Sequence, residues 1–435
     1  MTVAVLAAFG GCTHEEDDIF SESAAERLNA ASALYSSRLM AQPNGWAMQL
    51  YPTTEDEAPY GNGYLMLLRF NDDYSVLAAM NNSLTGDVYV EDSSAWEVIT
   101  DDGPVLTFNT HNDVIHIFSD PDDVASTDDD ETGTGIGGDY EFIIVDAPED
   151  ASYMMLKGKK RATYNLLTPV EEGVEYESYL LDVKNFQNKM FSSDAPTVNY
   201  IHFGDSVYVM EDANDGIPNI YPLGTDAVLN ESFNPFLMTK RGDDYYLRFR
   251  DEFEVGDVTV QEFMYVEDDD IFLGTDDESA YICGYDPLEF FDSIFTAGQT
   301  LTLSKSSSDM SEDFKTVYDN LVSDFKSSAS MTLSNIKFTT YQGGYVITVS
   351  YKSGSKTSTT RYSIDYSSDG EGATIQYTTC ETAAQNVLNT VTALQTMLDT
   401  LSRKFIVSAA TTVFDLSTLR FTAADDEDIW FVLEI

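Results

Sequence analysis

Apolar residues run along this chain in two rhythms. The helical rhythm comes first: Leu28, Ala31, Leu34, Tyr35 and Leu39 form a stripe behind Ser23-Ala24-Ala25-Glu26, which has the spacing of a capping box, and Pro43-Asn44-Gly45 stops it. The strand rhythm follows at once, with Trp46, Met48 and Leu50 alternating with Ala47, Gln49 and Tyr51 before Pro52. Short strands are then expected at Gly63 to Phe70, Tyr74 to Met80, Val105 to Phe108, Val114 to Phe118, Tyr140 to Val145 and Tyr153 to Lys157. A second helix is expected from Tyr176 to Met190, where Tyr176, Tyr179, Leu180, Val183, Phe186 and Met190 share a face.

Strands resume at Val198 to Phe203, Val207 to Met210, Tyr245 to Phe249, Val258 to Val266 and Tyr281 to Cys283. Gly63 to Phe70 and Asp244 to Phe249 both close on Leu-Arg-Phe, a match that predicts a distant internal duplication. Leu303 to Ser308 reads as a linker. Behind it Ser311 is the N-cap of a helix carrying Phe314, Val317, Tyr318, Leu321, Val322 and Phe325. Strands are expected at Met331 to Thr340, Tyr345 to Tyr351, Thr359 to Tyr366 and Ala373 to Tyr377. A helix opened by the capping box Thr382-Ala383-Ala384-Gln385 and carrying Val387 to Leu401 follows, then strands near Val413, Leu419 to Thr422 and Ile429 to Leu433.

Successive short strands without intervening helices indicate antiparallel meanders. The expected fold class is α+β and β-rich, with meander sheets, sandwich or barrel-like, each preceded by a helix, in two or three modules. The expected divisions are a signal-peptide remnant at 1–11, an acidic tether at 12–22, a first module at 23–195, a second at 196–302, a linker at 303–311 and a third module at 312–435.

Charge narrows the partners. The chain of 435 residues carries 75 Asp and Glu against 23 Lys and Arg, a formal charge of −52. No nucleic-acid partner is expected, because a sequence-independent grip on phosphate rests on cations displacing counterions. With 43% hydrophobic residues the chain is nevertheless expected to fold.

Residues 2–11 are uncharged, largely apolar and too short to span a bilayer, and they run from Gly10-Gly11 into Cys12. This arrangement resembles a bacterial lipobox, at which processing leaves a diacylglyceryl-modified Cys. Phe9 stands where Leu is commoner and no basic segment precedes it, so a truncated or late-assigned start is expected. Thr13-His14-Glu15-Glu16-Asp17-Asp18 then reads as a hydrated tether, and acidic residues just after the Cys resemble the surface-export signal of Bacteroidota lipoproteins. The expectation is a Cys12 lipid anchor in the outer membrane, facing the exterior. Cys283 and Cys380 read as separate core residues or a disulfide.

The tether, Ser23 to Ala31, Asn44-Gly45-Trp46, Gly63-Tyr64 leading to Arg69-Phe70, Asn112 to His116 with Phe118 to Pro121, Gly138 to Phe142 and Lys157 to Lys160 together resemble a family of Bacteroidota surface lipoproteins, itself a domain of unknown function. The motifs cover roughly residues 12 to 170. The resemblance implies accessory binding at the cell surface near nutrient-uptake systems, and it carries over no catalytic residue.

Several side-chain groups are candidates for chemistry. Asp120, Asp122, Asp123, Asp128, Asp129, Asp130 and Glu131 gather hard oxygen donors suited to calcium, or form a solvated acidic loop. Gly133 to Gly138 spells a dinucleotide motif but follows acids and leads into a strand, so it reads as a loop. Asp212 to Gly216 falls out of register with a calcium-binding EF-hand loop. Lys157, Lys159, Lys160 and Arg161 are candidates for an acidic glycan, or for neutralising the module's own acids. His111 and His116 would face opposite sides of a strand, so only a turn at Asn112-Asp113 could bring them together, and no zinc site is assigned. Trp46 reads as core and Trp96, among Ser93, Ser94 and Glu97, as an exposed stacking platform. The leading expectation is a non-enzymatic binding protein for glycan or peptide, with an outer-membrane protein as a further partner. The alternatives are a hydrolase using two carboxylates, which no spacing singles out, and an adhesive protein ordered by calcium.

Overall fold

The computed structural model describes residues 23–52, 63–101, 103–119, 137–192, 198–230 and 232–435. Two compact units are distinguished: the first holds the opening helix and most of the first sheet, and the second holds residues 173–435 together with the segment Met80–Tyr89 and residues 49–66. Helix α1, Ala24–Met40, starts as its residues dictate: Ser23 accepts from the Glu26 N–H and the Glu26 carboxylate accepts from the Ser23 N–H, satisfying two donors of the first turn. Trp46 is buried and donates its indole N–H to the Leu39 carbonyl at 2.8 Å.

The first sheet has nine strands: β1 Trp46–Leu50, β2 Tyr64–Phe70, β3 Ser75–Met80, β4 Val90–Ala95, β5 Glu97–Asp101, β6 Gly103–Thr107, β7 Glu141–Asp146, β8 Met154–Gly158 and β9 Tyr164–Pro169. Their spatial order is β4-β3-β2-β1-β9-β8-β7-β6-β5. Helix α2, Tyr176–Met190, buries Tyr176, Tyr179, Leu180, Val183 and Met190. The second sheet then repeats that order with β10 Val198–Phe203, β11 Ser206–Glu211, β12 Asn219–Pro222, β13 Ser232–Phe233, β14 Phe236–Arg241, β15 Asp244–Val255, β16 Val258–Val266, β17 Ile271–Gly274 and β18 Ala280–Cys283, helix α3 (Ala227–Asn230) lying between β12 and β13. In both sheets the first strand pairs with the last, while the fourth and fifth strands stand at opposite edges although only Trp96, or Asn234-Pro235, separates them in the chain. Each fourth-and-fifth pair is therefore one strand interrupted as it passes from one half of the sheet to the other.

The third sheet shows the same path uninterrupted. Helix α4, Pro287–Thr296, precedes β19 Leu301–Leu303, and helix α5, Glu312–Ala329, precedes β20 Thr332–Tyr341, β21 Gly344–Ser353, β22 Lys356–Ser368 and β23 Ala373–Cys380. Helices α6 (Thr382–Thr390) and α7 (Ala393–Leu401) lead to β24 Lys404–Ala409, β25 Thr418–Ala423 and β26 Asp426–Glu434, and the eight strands close as a barrel with β19 against β26. Its fourth strand, β22, pairs with β21 over its first part and with β23 over its last, with a bulge between Ser363 and Ile364. Counting each interrupted strand once, all three sheets are eight-stranded consecutive meanders. The third is filled by Phe314, Phe338, Phe405, Phe421 and Phe431, with Phe421 and Phe431 stacked at 5.5 Å.

The fold class read from the sequence is the one observed, and several local expectations are corrected. Val114 to Phe118 is a turn and a short 3-10 segment, because the Asn112 side chain accepts from the Val114 and Ile115 N–H groups at 3.0 Å and bends the chain. Residues 303–311 do not link domains: Leu303 belongs to β19, and buried Ser304 donates to Asp309 at 2.7 Å within the barrel. The helix expected through Leu401 breaks at Val391-Thr392 into α6 and α7, and α6 is preceded by Glu381 without a side-chain cap. Val413 lies in a loop. The segments ending in Leu-Arg-Phe occupy the second place of the first sheet and the sixth of the second, so the repetition of topology is not the one their likeness points to. Among the described residues no helix is long and apolar enough to cross a membrane.

Candidate functional site

The hairpin joining β2 to β3 turns at Asn71 to Tyr74, with the Tyr74 N–H donating to the Asn71 carbonyl at 3.1 Å. Tyr74 ends this turn with φ +62° and 58% of its surface exposed. A tyrosine in the left-handed region costs on the order of 1 kcal/mol, and such strain concentrates at functional positions. Trp96, at the interruption between β4 and β5, donates its N–H to the Tyr74 carbonyl at 3.0 Å, and the two rings lie 5.8 Å apart.

These residues, with α1 opposite, line a groove of about 730 Å³ in the first compact unit. Met40 and Val98 supply apolar wall, and Asn29, Ser36, Glu97 and Asn109 supply polar groups. Asn109 accepts from Thr107 at 2.7 Å and donates to Glu97, which fixes the one carboxylate of the lining. An exposed ring beside polar groups with hydrogen-bonding capacity is the make-up of a site for an amphipathic, hydroxylated ligand.

The expectation for Trp96 is corrected. Only 2% exposed, it cannot serve as a platform: Phe70 meets its ring edge-on at 4.9 Å and Tyr74 covers it, and its indole N–H has no partner among the described residues. Polar neighbours at 93, 94 and 97 imply exposure only while a strand keeps its alternation, and the strand breaks at this residue. Tyr74 was legible as the start of a strand and not as a display position.

The cationic run folds into the hairpin after β8. Lys159 Nζ lies 2.8 Å from Asp101 and 3.1 Å from Glu141, and Lys157 Nζ sits over the Tyr164 ring at 5.2 Å. The Lys160 and Arg161 N–H groups donate to the two carboxylate oxygens of Asp139 at 2.9 and 3.0 Å. Asp139 is 8% exposed, and burial raises its pKa against the pull of those two hydrogen bonds. Gly158 belongs to the same lock, since a Cβ there would lie 2.1 Å from the Asp139 carboxylate. Lys159 is thus occupied by acids of the module, while the Lys160 side chain stays exposed.

The turn needed to bring His111 and His116 together does exist, with ring centroids 5.4 Å apart. His111 Nε2 is 3.0 Å from Asp113, and the Asn112 N–H donates to His116 Nδ1 at 3.1 Å. Among the described residues no group of three His, Cys, Asp or Glu side chains is placed to hold a metal. The calcium candidates Asp120, Asp122, Asp123, Asp128, Asp129, Asp130 and Glu131 lie outside the described residues, as do Cys12 and most of the glycine loop. Cys283 and Cys380 are both free thiols, and burial pushes the Cys283 thiol up to about 11.

Comparison with known families places the chain. The model of a domain of unknown function, DUF4302, matches residues 16–267, more than half of the chain. The chain belongs to the DUF4302 family. The DUF4302 match takes in the Tyr74 groove, the Asp139 lock and most of the second sheet, beyond the stretch whose motifs carried the resemblance in the sequence. No curated protein matches the chain. A solved structure, the crystal structure of the beta subunit from DNA polymerase of Streptococcus pyogenes, is similar at 10% identity over 93% of this chain and 97% of that one. With a TM-score of 0.13, that likeness supports no statement about this DUF4302 protein.

Proposed function

We propose that this DUF4302 protein is a lipid-anchored accessory protein of a Bacteroidota cell, held in the outer membrane through Cys12 with its folded part outside. There it binds an extracellular glycan in the Tyr74 groove during nutrient acquisition, beside an outer-membrane protein partner. The observation that carries the reading is the exposed Tyr74 ring, on a left-handed backbone, lining a groove that also holds polar groups. The Tyr74 ring covers buried Trp96 and still leaves more than half of its own surface exposed to a ligand. The acidic tether and the lipobox-like residues before Cys12 support the address. The groove's single carboxylate, Glu97, is tied to Asn109, which favours binding over hydrolysis by a carboxylate pair. Calcium on the acids of 120–131 is a subsidiary part of this proposal.

The test is a thermal-shift screen of the soluble form beginning after Cys12, against host and plant glycans and peptides. One glycan class should raise the melting temperature, and Tyr74→Ala should abolish the rise while leaving the melting temperature of the free protein within a few degrees. A rise that survives Tyr74→Ala would refute the groove. Turnover of the bound glycan would replace the binding reading with the hydrolase.

A further inference from the structure

A second cavity, of about 260 Å³, lies in the second compact unit between α2 and the segment Met80–Tyr89. Its chemistry differs from the rest of the molecule. In a chain of net charge −52, the lining holds one cation and one anion, Lys184 and Asp87, and they neutralise each other at 2.8 Å. The Lys184 ammonium also donates to the Asn81 side-chain oxygen at 3.3 Å. Carboxamides make up most of the remaining polar lining, and three of them, Gln187, Asn188 and Asn214, make no side-chain hydrogen bond among the described residues. The floor is apolar, formed by Leu180, Val183 and Met238, all buried.

Each feature selects a ligand class. A carboxamide offers two donors and an acceptor with two lone pairs, which matches hydroxyl groups that both donate and accept. Carboxylates would accept only, and would favour cations; ammonium groups would donate only, and would favour anions. A balanced ion pair favours neither. A buried aliphatic floor suits the C–H face of a saturated ring. The volume accommodates one such ring and excludes a folded peptide.

We infer that this carboxamide-lined pocket is a binding site for a single neutral, polyhydroxylated ring, a monosaccharide unit without ionic groups. It stands apart from the Tyr74 groove and does not depend on the reading given to that groove.

The experiment is saturation-transfer NMR on the full chain carrying Cys12→Ser, with D-glucose, D-galactose, D-mannose, L-fucose and N-acetyl-D-glucosamine as probes, and D-glucuronate and D-glucosamine as charged counterparts. At least one neutral sugar should receive saturation, with its charged counterpart receiving several-fold less. Gln187→Leu and Asn188→Asp, in the last turn of α2 where Gln187 is half-buried and Asn188 exposed, should each reduce that signal at least tenfold with the melting temperature kept. Asn188→Asp retains shape and changes only the donor to a charged acceptor, so loss through it reports chemistry and not folding. Tyr74→Ala should leave the signal intact, which separates failure here from failure of the groove. No saturation of any neutral sugar, equal saturation of the charged counterparts, or a signal indifferent to both α2 variants would each overturn the inference.

Discussion

Asp270 is the point at which the second and third sheets of the second compact unit are tied together, and its removal has a calculable cost. It sits before β17 with φ +50°, and its carboxylate accepts three hydrogen bonds: from Thr412 Oγ1 at 2.8 Å, from the Val413 N–H at 2.7 Å and from the Tyr265 hydroxyl at 2.8 Å. Beside this clasp Phe414 packs against Phe272 at 5.2 Å and Phe191 at 5.8 Å. Asp270→Ala leaves the Val413 amide without an acceptor and the buried Thr412 hydroxyl with only the weak Met190 sulfur at 3.6 Å, at about 1–3 kcal/mol each, while Tyr265 turns to water at little cost. The expected loss is about 3–5 kcal/mol, a large part of a normal folding free energy. Asp270→Gly loses the same bonds but relieves the left-handed backbone, so it should fall about 1 kcal/mol short of the alanine variant. Urea unfolding followed by circular dichroism gives the free energies. Amide exchange at Val413 gives the local opening, which should accelerate by about a hundredfold or more. Gly284→Ala attacks the same seam by sterics, since its Cβ would lie 2.0 Å from the Val413 carbonyl oxygen, and it should cost a similar amount. A loss under about 1 kcal/mol in Asp270→Ala, or an unchanged Val413 amide, would refute the clasp.

Three further outcomes are expected. Asp139 should titrate above its ordinary value, because burial outweighs its two backbone hydrogen bonds, whereas exposed Asp73, bonded by Ser75, should titrate below it. A raised carboxyl pKa means that the folded state keeps the proton longer, so this group's contribution favours folding at low pH and is lost as pH rises from the unfolded value through the folded one; carboxyl ¹³C titration placing Asp139 at or below Asp73 would contradict it. Labelled palmitate should be incorporated by the full chain and lost in Cys12→Ser, and incorporation persisting in that variant would remove the anchor. If calcium binds the acids of 120–131, saturating calcium should raise the melting temperature over chelator, and Asp128→Asn with Asp130→Asn should cancel the rise; identical melting in both conditions would dismiss the site.

Much of the architecture was legible because its signals are local. The stripe from Tyr176 to Met190, the N-cap Ser311 and the alternation in β10 and β16 each act within a few residues, and the observed elements begin and end where those patterns do. Helix α4 was missed although its signals were present: Asp286 caps it, accepting from the Glu289 N–H at 2.9 Å, and Pro287 opens it. At ten residues, Pro287–Thr296, it is the shortest kind of segment in which a helical stripe can be read. What sequence could not carry was anything set by strand order. The environment of Trp96 depends on the sheet being interrupted there, and the carboxamide pocket assembles Asn81, Gln187 and Asn214 from segments far apart in the chain. The Asp139 lock is similar, for Gly138-Asp139 and Lys157 to Arg161 were both noticed, but only the pairing of β7 with β8 joins them.

In each of the three meanders the strand made first waits for the strand made last. β10 cannot complete its pairing until β18 exists, and β19, at Leu303, waits for β26, at Leu433. Loop closure over such spans is slow, and until it happens an unpaired edge stays open to wrong partners. A chain threaded out of a cell amino end first would therefore complete its three meanders one at a time, each on delivery of its final strand. Loss of a terminal strand would yield an opened sheet with two free edges, and not a smaller barrel.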